Sequence, residues 1–360
     1  MSKRTILAFT TVLVLALITL YFYSKRDQTT IQRELSDFAY LDTAAITKIF
    51  LADKAKHEVT LTRVRGNAGQ NDHWMVNGKY PARPDAVRTL LTTIHDVSVR
   101  KPVGLKARET VIKQLMTGST KIEIYAGKKL VKQYYVGGET PDMMGTYMLL
   151  SDVSDPDDIV NSTEPFETEI KGFNGYLTPR YFTNLAEWRD RTVFNYYVPE
   201  IRSIRVENNL DANSSFIVTQ AAGSKIFGLT DLLGRPLPFD TLKLKQYISY
   251  FGRINFELIE TTLKPSTRDS IIRSRPAFTI AVTDASNKKN EVVMFRKKND
   301  GIMPEDTAAT PPPPYDPDRM FALVNDRQDF VVVQYYVFGK LLPSVDYFLP
   351  VRAAKPVVNK

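Results

Sequence analysis

Cysteine is absent from all 360 residues, so no disulfide staples this chain and no thiol is available for catalysis or metal binding. That absence suits an extracytoplasmic chain without disulfides and a cytoplasmic one equally well. Histidine is scarce, with three in the chain. His57 reads as part of a turn between strands, His73 stands beside Trp74, and His95 falls on the polar side of a helix. None has ligand spacing such as H-E-x-x-H, and His57-Glu58 lacks the second histidine. Also missing are G-x-G-x-x-G, G-K-[ST] and G-x-S-x-G, so neither a phosphate cradle nor a nucleophile elbow is readable. Gly137, Gly138 and Gly145 are not followed by a helical pattern and read as a tight loop. The acidic run Asp152–Asp158 holds four carboxylates but lacks the D-x-[DN]-x-[DN]-G core of a calcium loop, and Asp beside Pro is an ordinary turn former. The residues thus assign no catalytic group, no cofactor and no metal.

What is present starts with Thr5–Tyr23, 19 residues without a charge, bracketed by Lys3 and Arg4 before and Lys25 and Arg26 after. At about 1.5 Å rise per residue, a helix of this length nearly spans hydrocarbon about 30 Å thick. The stretch ends in Leu20-Tyr21-Phe22-Tyr23, bulky where a signal peptidase needs small residues and suited to the membrane–water interface. It is expected to be an uncleaved anchor, residues 1–26. Positive charge is nearly balanced across it, so the charge rule gives no orientation. A short N-terminal tail and a large C-terminal body favour a body outside the cytoplasm.

Of the 48 Lys and Arg, four flank that stretch, which leaves 44 basic against 40 acidic side chains in the body. The high pI therefore reports the flanks as much as the body. No dense basic stripe appears, so a nucleic-acid partner is not expected. The remaining residues suffice for two ordinary domains.

Residues 27–44 form a polar stretch, expected as a stalk. From Ala45 the pattern changes. Ile46–Leu51 and Val59–Val64 alternate apolar and polar residues, the period of half-buried strands, and His73–Asn77 follows as a short strand. Pro84 opens a helix with Val87, Leu90, Leu91, Ile94 and Val97 on one face. Ala107–Met116 suits a second helix, and Thr120–Tyr125 and Leu130–Val136 a hairpin. After Pro199 the order begins again: strands at Ile201–Val206, Ser215–Thr219 and Lys225–Leu229, a helix at Asp240–Phe251, then the strand pair Ala277–Val282 and Glu291–Arg296. Two short strings repeat as well. Pro141-Asp142-Met143-Met144 is echoed by Pro317-Asp318-Arg319-Met320, and Gly175–Pro179 by Gly339–Pro343. An internal duplication of about 150 residues follows, too long a period for a solenoid. The expected fold class is α+β: a transmembrane helix, then two tandem, similar modules of mainly antiparallel sheet with one or two packed helices each. Their expected bounds are 45–196 and 197–350, with 351–360 a tail.

The strings Ile46–Leu51, Trp74–Gly78, Leu90–Ile94, Lys121–Tyr125, Tyr134–Gly138 and Trp188–Arg191 together resemble an uncharacterised bacterial family, domain of unknown function 4340. The likeness spans nearly the whole body, with the second module lacking the Trp and Gly-Gly landmarks. It implies an accessory role beside the auxiliary component of gliding-motility-type ABC transporters, in a bacterial inner membrane with the body in the periplasm. It transfers no catalytic residues.

Within the body, Tyr176, Arg180, Tyr181, Trp188, Arg189 and Arg191 concentrate aromatic and guanidinium groups, the types that dominate contact hot spots. They are the candidate partner-binding residues. The structural alternative has Tyr181, Phe182 and Trp188 filling the junction between modules while the arginines pair with Glu187 and Asp190. Pro311–Pro314 is read as a stiff surface loop. The leading expectation is a non-enzymatic, membrane-anchored envelope protein serving protein–protein contacts in a transporter-like or secretion-like assembly. Two alternatives stand beside it: an envelope hydrolase using carboxylates at the module junction, and a small-ligand or lipid-binding ectodomain.

Overall fold

The computed structural model describes residues 37–67, 71–155, 157–221, 226–299 and 313–350. The apolar stretch Thr5–Tyr23, most of the expected stalk, Pro311 and Pro312, and the tail lie outside the described residues. No helix among the described residues is long and apolar enough to cross a membrane. The chain is α+β with antiparallel sheets, and its units divide between Asp190 and Arg191.

In the first unit, β1 (Ile46–Ala52), β2 (Glu58–Val64), β3 (His73–Val76) and β4 (Tyr80–Pro81) form a meander. Helix α1 (Pro84–Asp96), β5 (Val97–Pro102) and α2 (Leu105–Gly118) follow. Then come β6 (Thr120–Ala126), β7 (Lys129–Glu139), β8 (Thr146–Asp152), β9 (Val160–Asn161), β10 (Phe166–Ile170) and the single turn α3 (Leu185–Trp188). The sheet order is β4-β3-β2-β1-β6-β7-β8-β10-β5, with β9 added onto β8.

The second unit opens with β11 (Thr192–Phe194), then β12 (Ile201–Asn208), β13 (Phe216–Gln220), β14 (Phe227–Thr230), α4 (Thr241–Ser249), β15 (Ile254–Asn255), β16 (Leu258–Ile259) and α5 (Pro265–Arg273). It closes with β17 (Phe278–Asp284), β18 (Lys289–Lys298), β19 (Tyr315–Val324), β20 (Asp329–Gln334) and α6 (Tyr335–Phe338). Its main sheet runs β14-β13-β12-β17-β18-β19-β20-β16, and β11 pairs with β15 separately. Position by position this is the order of the first sheet from β3 to β5. In each unit the strand between the two main helices returns to the far edge.

Even an irregularity repeats. The register of β1 on β6 shifts between Ile46 and Lys48, and that of β12 on β17 between Ile201 and Ser203. One extra residue at a bulge converts strict alternation into Ile-x-x-Ile. It keeps Ile46, Ile49 and Leu51 in one core, and Ile201, Ile204 and Val206 in the other.

Each of the two large sheets carries helices on both faces. Helix α1 starts at Pro84, whose missing N–H is no loss at a first helical position, and lays Val87, Leu90 and Ile94 on the main core. Helix α4 does the same with Leu244, Tyr247 and Ile248, capped by the Asp240 carboxylate on the Leu242 and Lys243 amides. The opposite faces carry α2 over Val103 and Leu149, and α5 beside Phe295, Phe321 and Leu323.

Three boundaries differ from those expected. Gly137 and Gly138 lie inside β7, not in a loop. Leu115 of α2 packs so close over Gly137 that a Cβ there would stand 2.6 Å from its Cδ2 and 3.1 Å from the Tyr147 carbonyl. Residues 37–44 are docked on the first unit, not a free stalk: Phe38 is 1% exposed and packs edge-on against Tyr134 and Phe166. The division falls at Asp190 and not after residue 196, because Thr192–Phe194 pairs with β15.

Candidate functional site

The segment Tyr176–Arg191 does not present its six candidates as one surface. Tyr181 is buried, its hydroxyl 3.3 Å from that of Tyr134, and burial pushes both phenols well above their ordinary range. Trp188 is buried in the same core, stacked at 4.2 Å on Phe182, whose carbonyl accepts from the indole Nε1 at 2.8 Å. The segment is tied down by backbone: the Ala82–Arg189 bridge, and Arg83 N–H donating to the Trp188 carbonyl at 2.7 Å. Tyr176 is half-buried. Arg180 donates to the Thr93 hydroxyl at 3.0 Å and lies 4.3 Å from the Phe173 ring, and Arg189 lies 3.7 Å over Tyr80. Arg191 belongs to the second unit, where its carbonyl accepts from Phe256 N–H. Outside that core the first unit keeps two arginine–aromatic pairs, Arg180 with Phe173 and Arg189 with Tyr80, of which Phe173 is exposed and the other three residues are half-buried.

The histidines are exposed or nearly so, and among the described residues no three His, Asp or Glu side chains group as metal ligands. His57 is drawn into a small cluster in the β1–β2 turn. Asp53 accepts from His57 Nδ1 at 2.8 Å, from His57 N–H at 3.0 Å and from the Thr183 hydroxyl at 2.7 Å. A nucleophilic threonine would have to give its proton to the imidazole, whereas here both groups bond the carboxylate, so the cluster is a structural clasp. Burial pushes the Asp53 carboxyl up, but the bonds from Thr183 and His57 outweigh it and hold it at about 2. A carboxyl depressed in the folded state contributes stability above its unfolded value and loses it as pH falls through the folded one. Acid titration from pH 5 to 2 is therefore expected to lower the urea midpoint more in the native chain than in Asp53→Asn. Parallel pH profiles would show that the clasp carries no such linkage.

The acidic run is likewise spent on turns. Asp152 accepts from Ser154 N–H at 2.9 Å and Asp155 from Asp157 N–H at 3.0 Å.

Concave sites occur beside the second-face helices, at corresponding places in the two sheets. In the first unit a cleft of about 420 Å³ lies between α2 and the β7–β8 turn, lined by Ala107, Thr110, Gln114, Glu139 and Tyr147. In the second a cleft of about 710 Å³ lies between α5 and the ends of β18 and β19. Its floor includes Leu263, Ile271 and Phe321, and its walls carry hydroxyls from α5 and cations from β18. Nothing in the sequence pattern marked this cleft, since residues 260–274, 296–298 and 315–321 meet only through the sheet order.

No family model matches the chain, and neither a curated protein nor a solved structure matches it.

Proposed function

We propose that this chain is a non-enzymatic, membrane-tethered binding protein of the bacterial envelope, a helix over Thr5–Tyr23 carrying two α+β modules that arose by internal duplication. The observation that supports the duplication is the repeated strand order with its repeated bulge at Ile46/Lys48 and Ile201/Ser203. The likeness of its sequence strings to the domain of unknown function 4340 family adds the association with an ABC-transporter-like or secretion-like assembly. In this reading partner contact falls to the half-buried Arg189–Tyr80 pair and the Arg180–Phe173 pair, since an arginine stacked on a ring loses little freedom on docking. A second reading, a small-ligand module, is favoured by the cleft beside α5.

Affinity purification of the tagged full-length protein from native membranes in mild detergent tests the first reading. Transporter subunits should be recovered near stoichiometry, and Arg189→Ala with Arg180→Ala should reduce their recovery severalfold. Recovery of the protein alone would refute it.

A further inference from the structure

We propose that the cleft beside α5 binds a sugar bearing an anionic group. This deepens the small-ligand reading of the same site. The wall made by α5 and its flanking residues brings Thr262, Ser266, Thr267, Ser270 and Ser274 to the lining together with Tyr315. The Thr262 and Ser274 hydroxyls donate to Glu260 and to the Ile271 carbonyl and face a ligand as acceptors. Ser266 and Ser270 stand one turn apart, so they form a short ladder on one side of the helix, about 6 Å long, and Ser274 follows at its C-terminal cap. A hydroxyl both donates and accepts, which matches ligand hydroxyls that do the same. The apolar floor of Leu263, Ile271 and Phe321 suits the C–H face of a sugar ring.

Charge selects the ligand's sign. Among the described residues the lining brings three cations, Arg296, Lys297 and Lys298, against one carboxylate, Glu260. That carboxylate is engaged locally, accepting from Thr262 N–H and hydroxyl and from Leu263 N–H. Lys297 is paired with Asp316 at 3.3 Å, and Arg296 lies 3.5 Å over the Tyr315 ring. Lys298 is exposed and pairs with no carboxylate among the described residues.

Two further observations single this place out. Helix α5 is built from residues that weaken a helix: three of its nine positions are Ser or Thr, and none of its residues is buried. Local rules are broken in this way where a site needs the groups. The first unit supplies an internal control. At the corresponding cleft, α2 offers Ala107, Thr110 and Gln114, no cation among the described residues joins the lining, and Glu139 ends β7 where Lys298 ends β18. The scaffold is shared and the chemistry is not, so the lining of the second cleft is not a consequence of the fold.

Isothermal titration of the full-length protein in detergent with D-glucuronate, glucose 6-phosphate, D-glucose and inorganic phosphate tests the proposal. Saturable binding of at least one anionic sugar in the millimolar range or tighter is expected, with D-glucose and inorganic phosphate each at least about tenfold weaker, a difference of about 1.4 kcal/mol. The preferred anionic sugar distinguishes a carboxylate from a phosphate source. Arg296→Ala with Lys298→Ala should weaken binding about tenfold or more. Ser270→Leu should block the ladder, and Glu139→Ala in the first unit should change nothing. Ser270→Ala, which leaves the helix intact, guards against a folding artefact and should weaken binding less than Ser270→Leu does. No saturable binding of either anionic sugar, equal affinity in the double variant, or inorganic phosphate binding as well as the sugars would overturn it. Failure here leaves recovery of transporter subunits as the separate test of the partner reading.

Discussion

Trp188→Ala is expected to cost the first unit about 3–5 kcal/mol of unfolding free energy, the range for truncating a large buried aromatic. Trp188 is fully buried, and it meets the surrounding structure in two ways. Its ring stacks on Phe182, and its Nε1 donates to the Phe182 carbonyl. Truncation removes both and leaves a cavity between the Pro81–Arg83 segment and the main core, where the Trp188 and Arg189 backbone is held. Trp188→Phe keeps most of the packing and loses the N–H, so about 1–2 kcal/mol is expected. Denaturant unfolding followed by circular dichroism measures both. A loss below about 1 kcal/mol for the alanine variant would mean that the ring is not a core element.

The corresponding test in the second unit is Tyr247→Ala, also about 3–5 kcal/mol. Tyr247 on α4 is fully buried, with ring centroids of Phe216, Phe251 and Phe348 at 5.5, 5.6 and 5.2 Å, mostly edge to face. Its hydroxyl donates to the Leu341 carbonyl at 3.0 Å, which ties the C-terminal segment to the helix. Burial pushes the phenol well above its ordinary range, so it stays a donor at any physiological pH. Tyr247→Phe leaves that carbonyl without its partner and should cost about 1–2 kcal/mol. Amide hydrogen exchange locates the effect: in Tyr247→Phe, protection should fall first at residues 339–348. Uniform loss across the second unit would show instead that the bond does not hold the C-terminal segment in place.

Strands with one buried face were legible from their period. Val59 and Leu61 of β2, and Ile122 and Ile124 of β6, alternate with half-buried partners. Strand β20 carries no such period, because Phe330 and Val332 pack on one face of the sheet while Val331 and Val333 pack on the other. Burial on two sides erases the alternation. Helix α5 leaves no signature for the opposite reason: its apolar residues, Ile271 and Ile272, stand side by side and make no stripe. It is held by packing against Val293, Phe295 and Phe321, which come from distant strands. The candidate segment Tyr176–Arg191 was legible as composition only. Which of its rings turn inward depends on β7 and the Pro81–Arg83 segment, some 50 to 100 residues away.

By itself the sequence determined the α+β class, the repetition of its elements and the absence of familiar catalytic motifs, because period, turn residues and spacing are local properties. The tertiary structure decided that Tyr181 and Trp188 are core, that residues 37–44 dock, and that serines of α5 meet cations of β18 in one cleft. Those outcomes depend on strand order and register, which bring together side chains whose proximity no local pattern encodes.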